Sequence, residues 1–437
     1  MKSSHLVSSL AAVLATAAST GRAEWSSIHR DAGNNAVAPI AASITDLTSN
    51  AQFSTGLADI ANACRPIVAG GRVYAVATQL SPERIRIKSF DKTNLTPGPE
   101  SADLDAGVSV SFGTASAPLV VTADDALYFG TGSTVYRLNA STLTQTGAAW
   151  STMLSATNTS AGAYYMILNS SPAAGGSSIL VKTYPTAFGD IAGSQVVSLS
   201  KTTGAVEWYA VTGGRGSHSP AYVDLGASKV VIAERQVSNA EIGLRAYDAA
   251  STGAATPIWT SSWTLTAGGF HGFWGDMLVD GGKIYTITTD LAFPGPAAGH
   301  LIRVDAATGT LDWSTLTIGS DVPPALVGGE LIVFADGGNL LRFNPATGAQ
   351  IGSTVNVGGN AFRNYFAATN DSLYLAQSGN GIRKFTLTGT LQSSSTIAAF
   401  GGPVSIDSAT GFLYVPTSSG SLNVVTGASG VADWLGY

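Results

Sequence analysis

The chain has 437 residues and a formal net charge of −6; 11% of the residues are charged, 45% are hydrophobic and 51 are glycine. This composition excludes a disordered chain, which would carry more charge and fewer apolar residues. It argues against a general nucleic-acid-binding protein, which needs clustered lysine and arginine. The abundant glycine is also untypical of a helical bundle, whereas the Val, Ile, Thr and Tyr content favours strands joined by tight turns.

The first 23 residues have the pattern of a secretory signal peptide. Lys2 supplies the positive charge, Leu6–Ala18 is a short apolar stretch, and small residues lead to a predicted cleavage site after Ala23. The apolar stretch is shorter than the roughly 20 residues that span a bilayer, and no later segment is long and apolar enough. We therefore predict an exported protein, periplasmic or secreted, without a transmembrane segment.

Cysteine and histidine give no sign of a catalytic or metal site. Cys64 is the only cysteine, so no intramolecular disulfide can form, and we expect it to be a small buried apolar residue. None of the five histidines lies at metal-ligand spacing from another. The sequence therefore predicts no catalytic residue and no bound metal.

One short pattern recurs along the chain. An Asp or Asn is followed by a Thr-Gly pair and, in several copies, by a tryptophan, as in Arg303–Trp313, "RVDAATGTLDW". The glycine of the turn is replaced by Asn94 in a degenerate first copy, and the other copies have Gly147, Gly204, Gly253, Gly309, Gly348, Gly389 and Gly427. Successive positions are 38 to 57 residues apart, a spacing typical of propeller blades that is lengthened in places by insertions.

Each copy belongs to a unit of four short strands. The Asp or Asn ends the third strand and can accept bonds from the backbone ahead of it, and the glycine then takes a left-handed conformation that closes the hairpin. Eight such units predict an all-β, eight-bladed β-propeller of four-stranded antiparallel blades, in a single domain over residues 24–437.

The tryptophans that follow the turns are predicted to join the blades. On an outer strand, each ring can bury itself against the neighbouring blade while its indole N–H donates to a backbone carbonyl. The five tryptophans in this position are Trp150, Trp208, Trp259, Trp313 and Trp434. The sixth and seventh units have Ile351 and Leu391 nearby instead. An aromatic ligand platform is the alternative role, but recurrence at one place in each unit favours packing.

These segments resemble the tryptophan-docking repeat of the pyrroloquinoline-quinone (PQQ) β-propeller superfamily, and the resemblance extends from Trp25 to Tyr437. It implies a quinoprotein-dehydrogenase-like fold. The dehydrogenases of that superfamily hold PQQ against a disulfide between neighbouring cysteines, with calcium and a catalytic carboxylate. One cysteine excludes such a disulfide, and no calcium and carboxylate set can be matched. We therefore expect no cofactor, and PQQ and calcium belong only to the alternative of an alcohol or sugar dehydrogenase.

Three glycine-containing loops that lead toward the predicted central channel are the candidate ligand site. They are Thr212–Pro220, Ala267–Asp276 and Gly358–Phe366. Their candidate binding residues are Arg215, His218, His271, Trp274, Asp276, Arg363 and Asn364. Such residues could bind an anionic or sugar-like ligand. The alternative is that they close the channel mouth through contacts with one another.

The sequence thus favours an exported, non-catalytic propeller that acts as a protein-interaction or ligand-binding scaffold in the cell envelope. A monomer with a protein partner or a glycan is expected, with the insertions Ser170–Gly193 and Asp290–Gly299 as contact surface. A propeller edge could also pair with an extended strand of a partner. A carbohydrate- or cell-surface-binding module is a further alternative. The chain is similar in repeat class to lipid-anchored propellers of outer-membrane assembly, but has no cysteine at the predicted cleavage site.

Overall fold

A computed structural model describes a series of short ranges between residues 47 and 425. They are residues 47, 52–54, 60, 65–80, 83–104, 119–121, 124–131, 134–145, 150–154, 164–170, 178–185, 194–212, 220–236, 241–264, 271–273, 277–290, 298–320, 322–359, 366–377, 381–395, 404–407, 409–417 and 419–425. Within these ranges the regular structure consists of strands, with no α-helix. The predicted signal peptide and Cys64 lie outside them.

The strands form eight sheets that follow one another along the chain as the blades of a propeller. Blade 1 contains β2 (Ile67–Ala69), β3 (Arg72–Leu80), β4 (Glu83–Asp91) and β5 (Pro97–Glu100). Blade 2 contains β6 (Leu119–Val121), β7 (Ala126–Thr131), β8 (Thr134–Asn139) and β9 (Trp150–Met153). Blade 3 contains β10 (Tyr164–Ser170), β11 (Ser178–Pro185), β12 (Gln195–Ser200) and β13 (Val206–Val211). Blade 4 contains β14 (Ala221–Asp224), β15 (Lys229–Gln236), β16 (Glu241–Asp248) and β18 (Trp259–Thr264).

The second half of the ring repeats this arrangement. Blade 5 contains β19 (His271–Phe273), β20 (Leu278–Asp280), β21 (Lys283–Asp290), β22 (Ala298–Asp305) and β23 (Leu311–Ile318). Blade 6 contains β24 (Ala325–Val327), β25 (Glu330–Ala335), β26 (Asn339–Phe343) and β27 (Val355–Asn356). Blade 7 contains β28 (Ala367–Ala368), β29 (Ser372–Gln377), β30 (Gly381–Thr386) and β31 (Leu391–Ser394). The structure confirms the predicted all-β, eight-bladed propeller.

The eighth blade is assembled from both ends of the described chain. Its inner three strands are β32 (Ser405–Ile406), β33 (Leu413–Pro416) and β34 (Leu422–Val425), and its outer strand is β1 (Gln52–Ser54). Antiparallel pairing of β1 with β34 closes the ring, because it holds both ends of the described chain in one sheet. The repeat alignment instead placed the segment after Gly427, with Trp434, as this outer strand. β1 takes that place, and Trp434 lies outside the described residues.

The hydrophobic core lies between blades rather than at one centre. On β3, Tyr74 and Val76 belong to the apolar cluster shared with blade 2, whereas Val73, Ala75 and Ala77 belong to the cluster shared with blades 7 and 8. This is the alternation of a strand whose two faces are both covered. Equivalent clusters fill every other interface around the ring.

The repeated turn has the predicted conformation in the later blades. Its glycines have φ between +63° and +86°; they are Gly204, Gly253, Gly309, Gly348 and Gly389. In blade 5, Asp305 Oδ1 accepts hydrogen bonds from the backbone N–H groups of Ala307 and Thr308, each at 3.0 Å. Asn344 takes the same role in blade 6. The Asp or Asn therefore orders the turn, as the sequence predicted.

The first two blades correct the alignment of the turn. In blade 1 the positive φ falls on Leu95 (+56°), not on Asn94, and in blade 2 it falls on Leu143 (+55°), whereas Gly147 lies outside the described residues. Each leucine is the fourth residue after the Asp or Asn that orders its turn, as Gly309 is after Asp305. A left-handed leucine is unfavourable by roughly 1–2 kcal/mol. Both leucine side chains are buried, at 3% and 1% exposure, and this burial offsets the strain.

Candidate functional site

The channel-mouth residues predicted as a ligand site mostly lie outside the described residues. These are Arg215, His218, Trp274, Asp276, Arg363 and Asn364. The backbone of His271 lies on β19, opposite Asp290 of β21, and its side chain is outside the described set. The described residues therefore do not test this ligand site, and it stays a prediction.

Three of the predicted docking tryptophans bond to the next blade in one common geometry. The indole Nε1 of Trp208 donates to the carbonyl of Ala249 at 3.2 Å, that of Trp259 to Ala306 at 3.0 Å, and that of Trp313 to Pro345 at 3.2 Å. In each case the acceptor directly follows the Asp or Asn of the next blade's turn. Trp150 begins β9, and its side chain is not among those described.

At two junctions the turn glycine lies directly beneath the tryptophan ring of the preceding blade. A Cβ on Gly309 would lie 2.5 Å from an atom of the Trp259 ring, and one on Gly348 would lie 2.6 Å from the Trp313 ring. Only glycine therefore fits under the indole at these two junctions. In blade 6, Val355 rather than Ile351 takes the tryptophan's place, since a Cβ on Gly389 would lie 2.9 Å from its side chain.

Buried tyrosines form a second set of blade contacts that the sequence analysis missed. The hydroxyl of Tyr74 donates to the carbonyl of Ala140 at 3.1 Å, and that of Tyr414 to Lys92 at 2.5 Å. Tyr128 donates to Lys201 at 3.4 Å. These carbonyls occupy the same place in the turn as the tryptophan acceptors. The signal was a tyrosine at a constant place on the second strand, in "VYAV", "LYFG" and "LYVP".

A charged cluster lies at the turn of blade 5. Lys283 Nζ lies 2.9 Å from Asp305 Oδ2 and 2.9 Å from Asp312 Oδ2, and Arg303 Nε lies 3.1 Å from Asp312 Oδ2. The hydrogen bond from Lys283 and those from Thr308 hold the pKa of Asp305 below its ordinary value. The hydrogen bonds of Lys283 with Asp305 and Asp312 raise the pKa of Lys283. The cluster therefore ties together the last three strands of the blade.

Replacing Asp305 with asparagine should lower stability in a pH-dependent way. Asparagine keeps the turn, as Asn344 does in blade 6, but loses the ion pair with Lys283, so about 1 kcal/mol or less should be lost at pH 7. The pKa of Asp305 is lower in the folded protein than in the unfolded chain. The stabilisation by the Asp305 carboxylate is therefore fully present above the unfolded-state pKa, and it disappears as the pH falls through the folded-state pKa. Urea unfolding of both proteins at pH 7 and pH 3 measures this. A difference that does not shrink in acid would refute the assignment.

Exposed apolar side chains are concentrated at the outer strands. Among the described residues the large exposed ones are Val206 (47%), Val211 (40%), Ile258 (54%), Leu316 (66%) and Leu391 (46%). Four of these lie on outer strands and Ile258 directly precedes one. Four of the five belong to blades 3 to 5. This part of the outer rim, in blades 3 to 5, is the candidate interaction surface.

The rest of the described surface offers weaker candidates. An open cleft of about 490 Å³ in blade 1 includes Arg72 and Asp91 in its lining. Arg72 donates to Ser89 Oγ at 3.3 Å, and Asp91 accepts from the backbone of Thr93 and Asn94, so these groups serve the local structure. In the described ranges no three His, Cys, Asp or Glu side chains are placed to hold a metal ion. Nor does any helix in those ranges have the length and apolarity to cross a membrane.

Comparison with known proteins gives a family and a set of structural relatives. A family model for the outer membrane protein assembly factor BamB matches residues 132–364. The crystal structure of BamB from Moraxella catarrhalis has a TM-score of 0.58 and 15% identity, covering 86% of this chain and 100% of that one. No curated protein sequence matches the chain.

Redox enzymes share the same fold. A europium-containing methanol dehydrogenase has a TM-score of 0.67 and 11% identity, covering 91% of this chain and 90% of that one. The quinohemoprotein alcohol dehydrogenase from Comamonas testosteroni has a TM-score of 0.64 and 11% identity, covering 93% and 81%. At these identities the likeness is one of fold, and function has to be argued from this chain's own residues.

Proposed function

Because the chain belongs to the family of PQQ-like repeat propellers represented by the outer membrane protein assembly factor BamB, we propose that it is an exported, non-catalytic propeller that binds a protein partner in the cell envelope. The repeated aromatic residues serve the blade contacts. Trp208, Trp259 and Trp313 each use the indole N–H on a neighbouring blade. The repeat itself therefore leaves little chemistry for a ligand.

The observation that carries the proposal is the apolar outer rim of blades 3 to 5. Leu316 is 66% exposed on β23, and Ile258 is 54% exposed beside β18. Large exposed apolar side chains that are concentrated in one part of the rim favour contact with another macromolecule. An interface core of this kind is typical of protein partners.

A PQQ-dependent dehydrogenase is the competing proposal, and this sequence lacks the neighbouring cysteines that such enzymes place against the cofactor. The single cysteine cannot form a disulfide between neighbouring cysteines. In the part of the chain that the structure describes, no cluster of acidic, His or Cys side chains is placed to hold calcium. We therefore derive no reaction step for this chain.

Two measurements on the full chain test the proposal. A tagged chain is treated with a reversible cross-linker in intact cells. The cross-linked products are identified by mass spectrometry and compared with those of an untreated sample. We expect one dominant envelope protein, which then binds the purified propeller saturably.

In parallel, the purified propeller is incubated with PQQ and calcium and assayed for cofactor absorbance and dye-linked alcohol oxidation. Stoichiometric PQQ with turnover, or a propeller confined to the cytosol, would overturn the proposal.

A further inference from the structure

We propose that β23, the outer strand of blade 5, is the edge to which the partner binds, by adding an extended segment of its own chain as a further strand parallel to β23. This inference rests on the proposed scaffold function and specifies where and how the partner binds. It depends on the main chain of β23, on its exposed side chains and on an equivalent pairing elsewhere in the ring.

The equivalent pairing occurs at blade 3, within this chain. The outer strand β13 (Val206–Val211) pairs in parallel with β17 (Gly253–Ala254), a short strand in the turn of blade 4. Trp208 lies opposite Gly253 and Tyr209 opposite Ala254, and the N–H of Ala255 donates to the carbonyl of Tyr209 at 2.8 Å. An outer strand of this propeller therefore accepts an extended segment on its free edge, and the accepted direction is parallel.

Of the outer strands that the structure describes, β23 is the longest, and its outer edge has no described partner strand. It has eight residues, whereas the other outer strands have two to six. Among the described strands it pairs with β22 alone. An edge strand presents a row of unpaired N–H and C=O groups that can template another strand. The turn of blade 6 covers one face of β23 through Trp313 and Thr315, which bond to Pro345 and Gly348.

The sequence of β23 lacks the features that protect other edges. The outer strand of blade 1 has Pro97 and Pro99, which cannot donate to a new strand. β23 has no proline, glycine or lysine, and its one charged residue, Asp312, is paired with Lys283 and Arg303. The half from Ser314 to Ile318 is uncharged and rich in residues that favour strands.

The side chains of that half indicate what kind of segment binds. Leu316 is 66% exposed, the highest value among the large apolar residues described. A strand beside it would cover this side chain with an apolar side chain of its own, and main-chain hydrogen bonds would supply the remaining affinity. The occupant we infer is thus an uncharged, extended segment of at least about four residues, without proline in the paired part.

The mode of binding is tested by site-specific photo-cross-linking with the full chain in the cells that produce it. Benzoylphenylalanine replaces Ser314, Leu316 or Ile318, one at a time, and Ser262 as a control. Ser262 is exposed on β18 and stands three residues after Trp259, as Leu316 stands after Trp313. We expect the three positions on β23 to cross-link to one partner segment, with attachment points that advance along the partner in the same direction as β23. Attachment in the reverse order, at scattered sites, or equally from the control would overturn the inference.

A binding measurement separates this inference from the scaffold function. Leu316→Lys adds a charge at the exposed edge. It should weaken binding of the partner, identified by reversible cross-linking, roughly tenfold or more, because the ammonium group would have to lose water at the interface. Ser262→Lys adds the same charge to β18 and should leave the affinity unchanged. Equal binding by both variants and the unmodified chain removes the docking edge and keeps the scaffold. A propeller that is dimeric in sedimentation and becomes monomeric with Leu316→Lys would make the occupant a second copy, which also overturns the inference.

Discussion

Replacing Trp208 with alanine should lower the free energy of unfolding by about 3–5 kcal/mol, as is typical for removal of a buried aromatic side chain. The Trp208 side chain is fully buried, with 0% exposure, in the cluster between blades 3 and 4. Its ring stacks on Tyr247 at a centroid distance of 5.9 Å. Alanine would leave a cavity between the blades and remove the hydrogen bond to the carbonyl of Ala249.

Chemical unfolding of Trp208→Ala and Trp313→Ala measures this effect against a matched docking tryptophan. The Trp313 ring makes the same type of bond to the next blade but is only partly buried. We expect the loss for Trp313→Ala to be smaller, because less apolar area leaves water on its burial. Equal losses would show that the hydrogen bond, and not burial, decides the strength of the junction. Trp208→Phe, which retains a ring but not the N–H, separates the two contributions.

The sequence predicted the units of the fold because each unit carries its own local signals. The turn at Asp305–Gly309 needs an acceptor at its start and a left-handed glycine near its end, and both are visible in the letters. The closure of the ring has no such signal. Gln52 of β1 pairs with Val425 of β34, which lies far away in the sequence. β1 has only three residues, and their types do not indicate which strand they pair with.

The register of the first two turns could not be predicted for a related reason. The outer strands β1 and β5 that precede the turns of Leu95 and Leu143 have no tryptophan, and leucine occupies the left-handed position there. The leucine side chain is buried there instead. Whether glycine or leucine is required thus depends on a residue of the previous blade, a relation that only the assembled ring makes visible.

The candidate interaction edge was also beyond the sequence. The side chains of β23, including Leu316, alternate between the two faces of the strand, as they do in many other strands. This alternation is the same in a buried strand and in an edge strand with one covered face, so it does not indicate where the strand lies in its sheet. The order of strands in the sheet decides that Leu316 is 66% exposed. The idea that an edge could pair with a partner strand followed from the fold class, but its position on β23 required the structure.

Replacing Gly348 with alanine should destabilise the propeller by roughly 2–4 kcal/mol, from left-handed strain of about 1 kcal/mol and from overpacking. Gly348 has a φ of +71°, and an added Cβ would lie 2.6 Å from the Trp313 ring and 2.7 Å from Thr315 Oγ1. Gly253→Ala is the matched control. Its φ is +63°, but a Cβ there would meet no atom within 4 Å, so only the strain should be lost.

A double-mutant cycle with Trp313→Ala assigns the excess cost of Gly348→Ala to the indole. If the ring lies on the glycine, Gly348→Ala should cost about 1 kcal/mol in the Trp313→Ala background, close to the value for Gly253→Ala, because mainly the left-handed strain remains. The two substitutions would then be strongly non-additive in urea unfolding, with a coupling energy of about 1–3 kcal/mol. Additive losses would mean that the ring does not constrain the turn. Trp313 and Gly348 would then be separate features of blades 5 and 6, and not one contact between them.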